Sequence, residues 1–200
     1  MKSRHFPALL GLMFFASTAF AQGIVHDESS DGELSDSGPS PTSVTFGVGV
    51  NTIQGSLGGL GSGGGGGASN GNDADIFTFT LAAGQTVDSI TTTRSDGNQG
   101  FIGYSNTASI AAFSDSASLG AAVQAGGLFG NGSVGGASAG GLAPIPSTLG
   151  AGDHTFILQE TVTPVDFSIS FNVVQAVPEP SSAALLSGLA LLGFARRRRS

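Results

Sequence analysis

No cysteine occurs in this chain, so a thiolate nucleophile and a sulfur-ligated zinc are both excluded. Acid–base or metal chemistry therefore falls to His, Asp, Glu and Asn. His5 lies in an N-terminal segment read below as removed on export, which leaves His26 and His154. Neither stands in a ligand-spaced group. His154, beside Asp153 at the start of an expected strand, reads as a surface residue rather than a general base. Gly136-Ala137-Ser138-Ala139-Gly140 fits G-x-S-x-G letter for letter. A nucleophile elbow, however, needs a buried strand before the serine and a helix after it, and the surrounding Gly, Ser and Ala supply neither. Residues 61–66 fit G-x-G-x-x-G with no βαβ unit around them. The expectation is a non-enzyme with no catalytic residue.

Oxygen ligands are better represented. Asn70, Asn72, Asp73 and Asp75 crowd a loop-to-strand junction, the donor set a hard cation such as Ca²⁺ prefers. Asn-Gly-Asn-Asp is also ordinary turn chemistry, and the complete EF-hand spacing is missing. Asp31, Glu33 and Asp36 form a sparser group of the same kind. Calcium is thus the one candidate cofactor; no other is implied.

Charge narrows the partners. Lys2 and Arg4 lie near the start and Arg196, Arg197, Arg198 and Arg199 near the end, so that between them Arg94 alone stands against all fourteen acids, a balance of 1 − 14 = −13. Such a segment repels phosphate and offers no basic patch, which excludes nucleic acid as a partner. Specific sugar recognition commonly stacks exposed aromatics on the ring; with no Trp and one tyrosine, Tyr104, the composition gives it little support.

The elements that must position these groups read as strands. Residues 1–21 form a signal peptide: a basic start, an apolar run over 8–15, and Ala19-Phe20-Ala21 as an A-x-A cleavage site ahead of Gln22. Residues 22–43 are rich in Asp, Ser, Gly and Pro and are expected to be an acidic flexible leader. Residues 44–176 form the folded domain. Within it Val44, Phe46, Val48 and Val50 alternate with small residues as in a strand, which Asn51 is expected to end. Phe77, Phe79 and Leu81 alternate with Ile76, Thr78 and Thr80, and Phe167, Ile169, Phe171 and Val173 alternate with Ser168, Ser170 and Asn172. Further strands are expected near 87–93, 101–104 and 155–159, and residues 106–119 are assigned mostly to loop. The glycine-rich stretches 58–71 and 126–141 are expected to be loops as well. The fold class is all-β, an antiparallel jelly-roll-like sandwich with glycine-rich loops, flanked by the signal peptide and a C-terminal transmembrane helix.

Residues 177–200 have their own order. Pro178-Glu179-Pro180 precedes an apolar stretch over 183–195 in which Ser187 is the one polar residue, and four arginines, Arg196, Arg197, Arg198 and Arg199, follow. The prolines force a fresh helix start, and the arginines stop translocation on the cytoplasmic side. Thirteen residues span about 20 Å of a hydrocarbon core roughly 30 Å thick, which fits a transient anchor better than a permanent one. The arrangement resembles the PEP-CTERM sorting signal of Gram-negative bacteria. By that resemblance Pro178, Glu179 and Pro180 are the recognition residues for a membrane-embedded exosortase, and the chain is expected at the cell surface or outside the cell.

A second resemblance is internal. Residues 73–85 are similar to the core of bacterial pre-peptidase C-terminal domains, and 149–156 with 167–173 to their closing strands. Those domains are small non-catalytic β-sandwiches. Together the readings imply an exported, non-enzymatic surface or matrix protein, associated with exopolysaccharide or biofilm; the alternative is a carbohydrate- or calcium-binding module.

Overall fold

The computed structural model describes residues 23–58, 74–112, 116–138, 140–160 and 164–176. The expected signal peptide, most of the first glycine-rich stretch and the C-terminal tail lie outside them. Among the described residues ten strands and two short helices follow in chain order: β1 (Ile24–Asp27), α1 (Glu28–Asp31), β2 (Thr42–Ser43), β3 (Gly49–Leu57), β4 (Ala74–Leu81), β5 (Gln85–Arg94), β6 (Gly100–Ser105), α2 (Ser116–Ala122), β7 (Ala125–Phe129), β8 (Gly132–Ser133), β9 (Gly152–Gln159) and β10 (Val165–Gln175). They form two five-stranded sheets, in the order β1-β3-β10-β5-β8 and β2-β4-β9-β6-β7. The all-β class is as expected.

The alternating rows place the core between the sheets. Phe77, Phe79 and Leu81 of β4 face Phe167, Ile169, Phe171 and Val173 of β10, all buried. Phe171 meets the rings of Phe46, Phe77, Phe79 and Phe156 at centroid distances of 5.1 to 6.0 Å. A second, smaller apolar cluster covers the outer face of the second sheet, where Ile76 and Ile157 meet Ile110 and, from α2 and just past its end, Leu119 and Val123. Among the described residues the outer face of the first sheet carries no such cover.

Several local expectations change. Residues 44–47 are not a strand: Val44 and Phe46 fill the core from an extended loop. Asn51 does not end a strand but sits inside β3, fully buried, where its amide donates to the carbonyls of Gly47 and Gly49 at 2.8 and 3.0 Å and its oxygen accepts from Gly47 N–H at 2.9 Å. A buried amide is tolerated because every polar atom finds a partner. The acidic leader is ordered, contributing β1, α1 and β2 and placing Leu34 in the core. β1 and β2 pair in parallel with β3 and β4, so the antiparallel order is broken at one edge of each sheet. Finally, the second glycine-rich stretch holds β7 and β8, and α2 replaces part of the loop expected over 106–119.

Candidate functional site

Most of the singular chemistry among the described residues gathers at the end of the sandwich where β3 finishes and β4 begins. Asp27 caps α1, its Oδ1 accepting from Ser29 N–H at 2.9 Å and from Ser29 Oγ at 2.6 Å. Those bonds, with a further one from Gln54 Nε2 to Oδ2 at 2.8 Å, hold the Asp27 carboxyl below the ordinary carboxylate range. Glu28 reaches over β3: its Oε1 accepts from Leu34 N–H at 3.2 Å and its Oε2 from Ser56 N–H at 2.7 Å. Gly55 lies beneath that carboxylate, and a Cβ there would overlap it. A side chain at 55 would push Glu28 away.

Carboxylate oxygens of Glu28, Glu33 and Asp75 lie within 4.8 Å of one another. Asp75 is fully buried at the start of β4, Glu28 is half-buried and Glu33 is exposed. Two oxygens bound to one calcium ion at about 2.4 Å stand at most twice that distance apart, so the separation suits a shared hard cation. Of the ligands expected from sequence, Asp75 takes part; Asn70, Asn72 and Asp73 lie outside the described residues. The lesser group divides: Glu33 joins Asp75, Asp36 Oδ1 accepts from Ala74 N–H at 3.3 Å, and Asp31 Oδ2 accepts from Asp27 N–H at 2.9 Å. Spacing could not reveal Glu28, which comes from a leader far upstream of Asp75.

Beside these carboxylates a cavity of about 510 Å³ opens between α1, β3 and β10. Glu28 and Glu33 themselves line it, together with Asp27, Gln54, Asp166 and Phe167.

The two aromatic and imidazole candidates lie elsewhere, inside the core. Tyr104 is 5 % exposed and His154 4 %. His154 is therefore no surface residue, and Tyr104 offers no face to a sugar. The Tyr104 hydroxyl pairs with His154 Nδ1 at 3.0 Å, and His154 Nε2 with Gly150 O at 2.8 Å. A carbonyl can only accept, so Nε2 carries the proton and Nδ1 accepts from the tyrosine. Burial lowers the histidine's pKa and raises the tyrosine's, which keeps both neutral. Ser138 sits exposed in a turn-rich segment after β8, without the strand and helix of a nucleophile elbow on either side. His26, also buried, pairs through Nε2 with Gly32 O at 3.0 Å.

Two features thus define the class: a two-sheet β domain with an acidic end, followed by a C-terminal segment outside the described residues. That segment carries the identification, for residues 176–199 match the model of the PEP-CTERM protein-sorting motif. The match spans Pro178, Glu179, Pro180 and the four arginines Arg196, Arg197, Arg198 and Arg199. It implies processing by an exosortase-type enzyme and export to the cell envelope or surface of a Gram-negative bacterium. No curated protein and no solved structure matches the chain. The likeness of 73–85, 149–156 and 167–173 to pre-peptidase C-terminal domains accordingly rests on sequence alone; in the structure β4 lies antiparallel to β9 from Ala74↔Gln159 to Leu81↔Gly152. Among the described residues no helix is long and apolar enough to cross a membrane. The expected span over 183–195 lies outside them, as do Ala19 and Ala21 of the cleavage site.

Proposed function

We propose that the chain is an exported, non-enzymatic surface or matrix protein that is held briefly in the inner membrane by its tail, sorted, and then associated with extracellular polysaccharide or biofilm. The sorting motif over 176–199 carries this reading. Its support is the order of three elements: a Pro-Glu-Pro recognition sequence, an apolar stretch too short for a comfortable permanent span, and an arginine stop. Acidity, the lack of cysteine and the buried, neutral state of His154 favour a packing or binding role over catalysis. Mass spectrometry of the protein recovered from envelope and culture medium tests it. The expected product begins at Gln22 and lacks the arginine tail; an intact C-terminus in every fraction overturns the sorting reading.

A second reading, calcium binding, is favoured by the convergence of Glu28, Glu33 and Asp75. Three carboxylates at such range repel one another, and a divalent cation would convert that repulsion into a bond between leader and sandwich. Thermal unfolding with Ca²⁺ or chelator decides it. At a hundred times Kd the ion would add about 2.7 kcal/mol, a rise of several degrees in Tm that Asp75→Asn removes. A Tm unmoved by chelator refutes it.

A further inference from the structure

We propose that one corner of the first sheet, where β1 begins and β10 ends, docks on the lipid surface of the inner membrane while the tail is anchored there. This docking rests on the anchoring tail proposed above and adds to it a contact made by the folded domain.

The corner gathers most of the exposed apolar surface. Among the described residues four large apolar side chains stand open to solvent, Ile24, Val50, Leu128 and Val174, at 36–57 % exposure. Three of the four share the outer face of the first sheet. Ile24 lies opposite Thr52 in the register of β1 and β3, and Val50 opposite Asn172 in that of β3 and β10, two residues before Val174. Ile24 is therefore diagonal to Val50, and Val50 to Val174, each about 8 Å apart on one face. Aliphatic groups aligned across three strand ends gain by leaving water.

Topology says what meets them. β1 runs parallel to β3 and β10 antiparallel, so the starts of β1 and β3 and the end of β10 fall at the same end of the sheet. The chain thus departs from this end toward both of its apolar runs, 8–15 and 183–195. Neither departure is slack. Gly23 O accepts from Thr52 N–H at 3.0 Å, and Ala176 N–H donates to Gly84 O at 2.8 Å, which ties the backbone down as far as Ala176. The sorting motif begins at that same residue. From Ala176 the chain reaches at most about 7 Å to Pro178 and about 25 Å to Ala183, where the second apolar run starts. With that run in a bilayer, the corner is confined to the membrane surface. Such tethering makes even a weak contact effective, because the second encounter is intramolecular.

The chemistry fits lipid without net charge. No lysine occurs between the signal and the tail, and the one cation there, Arg94, is buried. Asp88, on the strand next to Val174, accepts from Asn172 Nδ2 at 2.8 Å. The contact is therefore apolar rather than electrostatic. It holds Pro178-Glu179-Pro180 at the level where a membrane-embedded enzyme works.

A chain without cysteine accepts single labels cleanly. The full chain, with one nitroxide-labelled cysteine at a time, is reconstituted in phosphatidylethanolamine–phosphatidylcholine vesicles, and collisions with a water-soluble nickel chelate are measured. Thr86→Cys, opposite Val174, and Gln175→Cys should be shielded about fivefold relative to Ser56→Cys at the far end of β3, because the headgroup layer excludes the chelate. Shielding should survive high salt, and Val50→Asp or Val174→Asp should each abolish it while leaving Tm nearly unchanged. Equal access at 86 and 56, shielding removed by salt, or shielding indifferent to both aspartates overturns the docking. Shielding that fades as the protein is diluted in lipid marks contact with a second copy and overturns it too. A chain that does not float with the vesicles refutes the anchoring tail, and the docking with it; flotation alone separates that failure from the others.

Discussion

Arg94 shows how much one residue can carry in a protein with so few cations. It occupies the inward row of β5, where its guanidinium meets Glu160 at the end of β9 and Asp96 at 3.1 Å, and stacks 5.0 Å from the Phe129 ring centroid. Burial opposes its charge, but the bonds to Asp96 and Glu160 outweigh that cost and raise its pKa. The same contact, strongest through the side-chain hydrogen bond, pulls Asp96 down to about 2. Replacing Glu160 by Gln leaves a buried cation with half its compensation and should cost about 3 kcal/mol in denaturant unfolding; Asp96→Asn, nearer solvent, should cost less. Protons act on this pair and on His154 in separate windows. An unfolded histidine titrates near 6.5, while native His154 resists protonation, so below that pH the unfolded chain takes up a proton that the folded one does not. Stability should fall as pH drops from 7.5 to 5.5, and His154→Gln should flatten that part of the profile. Between about 4 and 2 the Asp96 contribution is lost in turn, as the carboxylate that Arg94 favours becomes protonated.

Among the elements, β4 and β10 were legible because their side chains alternate large apolar with small polar, which fixes both the strand and its buried face. Phe171→Ala, at the meeting point of four other rings, should cost about 3–5 kcal/mol, measured by the shift of the unfolding midpoint. β7 was not legible. Its Ala125, Gly126 and Gly127 have little propensity for any element, and they form a strand because β6 offers a partner and because Gly127 lies so close to Ala137 that a side chain would not fit. α2 escaped for a related reason: its Ser- and Ala-rich sequence is a weak helix, anchored by Leu119 and by Val123 one turn later against the outer sheet. The leader was misjudged because its acids suggested solvation, whereas Glu28 uses its carboxylate to bridge Leu34 and Ser56. Gly55→Ala should therefore displace Glu28, lower Tm and expose residues 28–43 to proteolysis, with the first cuts in that stretch.

For the whole molecule, the two ends have different authors. Gly84, with φ of 81°, marks the tight turn joining β4 to β5, and the alternating rows on either side of it announce a sandwich before any coordinate is known. The sorting tail is likewise a linear message, read by a partner in the order Pro-Glu-Pro, apolar stretch, arginines, and so it was complete in the sequence. Composition also settled the acidity and the lack of sulfur chemistry, since neither depends on how the chain folds. What only the tertiary structure decided is which residues meet. Asp75 was expected to share a cation with its neighbours in sequence, which lie outside the described residues; among the described residues the carboxylates that reach it are Glu28 and Glu33, brought there by a leader that crosses from one sheet to the other. His154 was expected at the surface and is buried against Tyr104, because the inward or outward sense of a short strand depends on pairing register. Local pattern reports what a segment can do for itself, while a site assembled across two sheets exists only once long-range pairing has closed it.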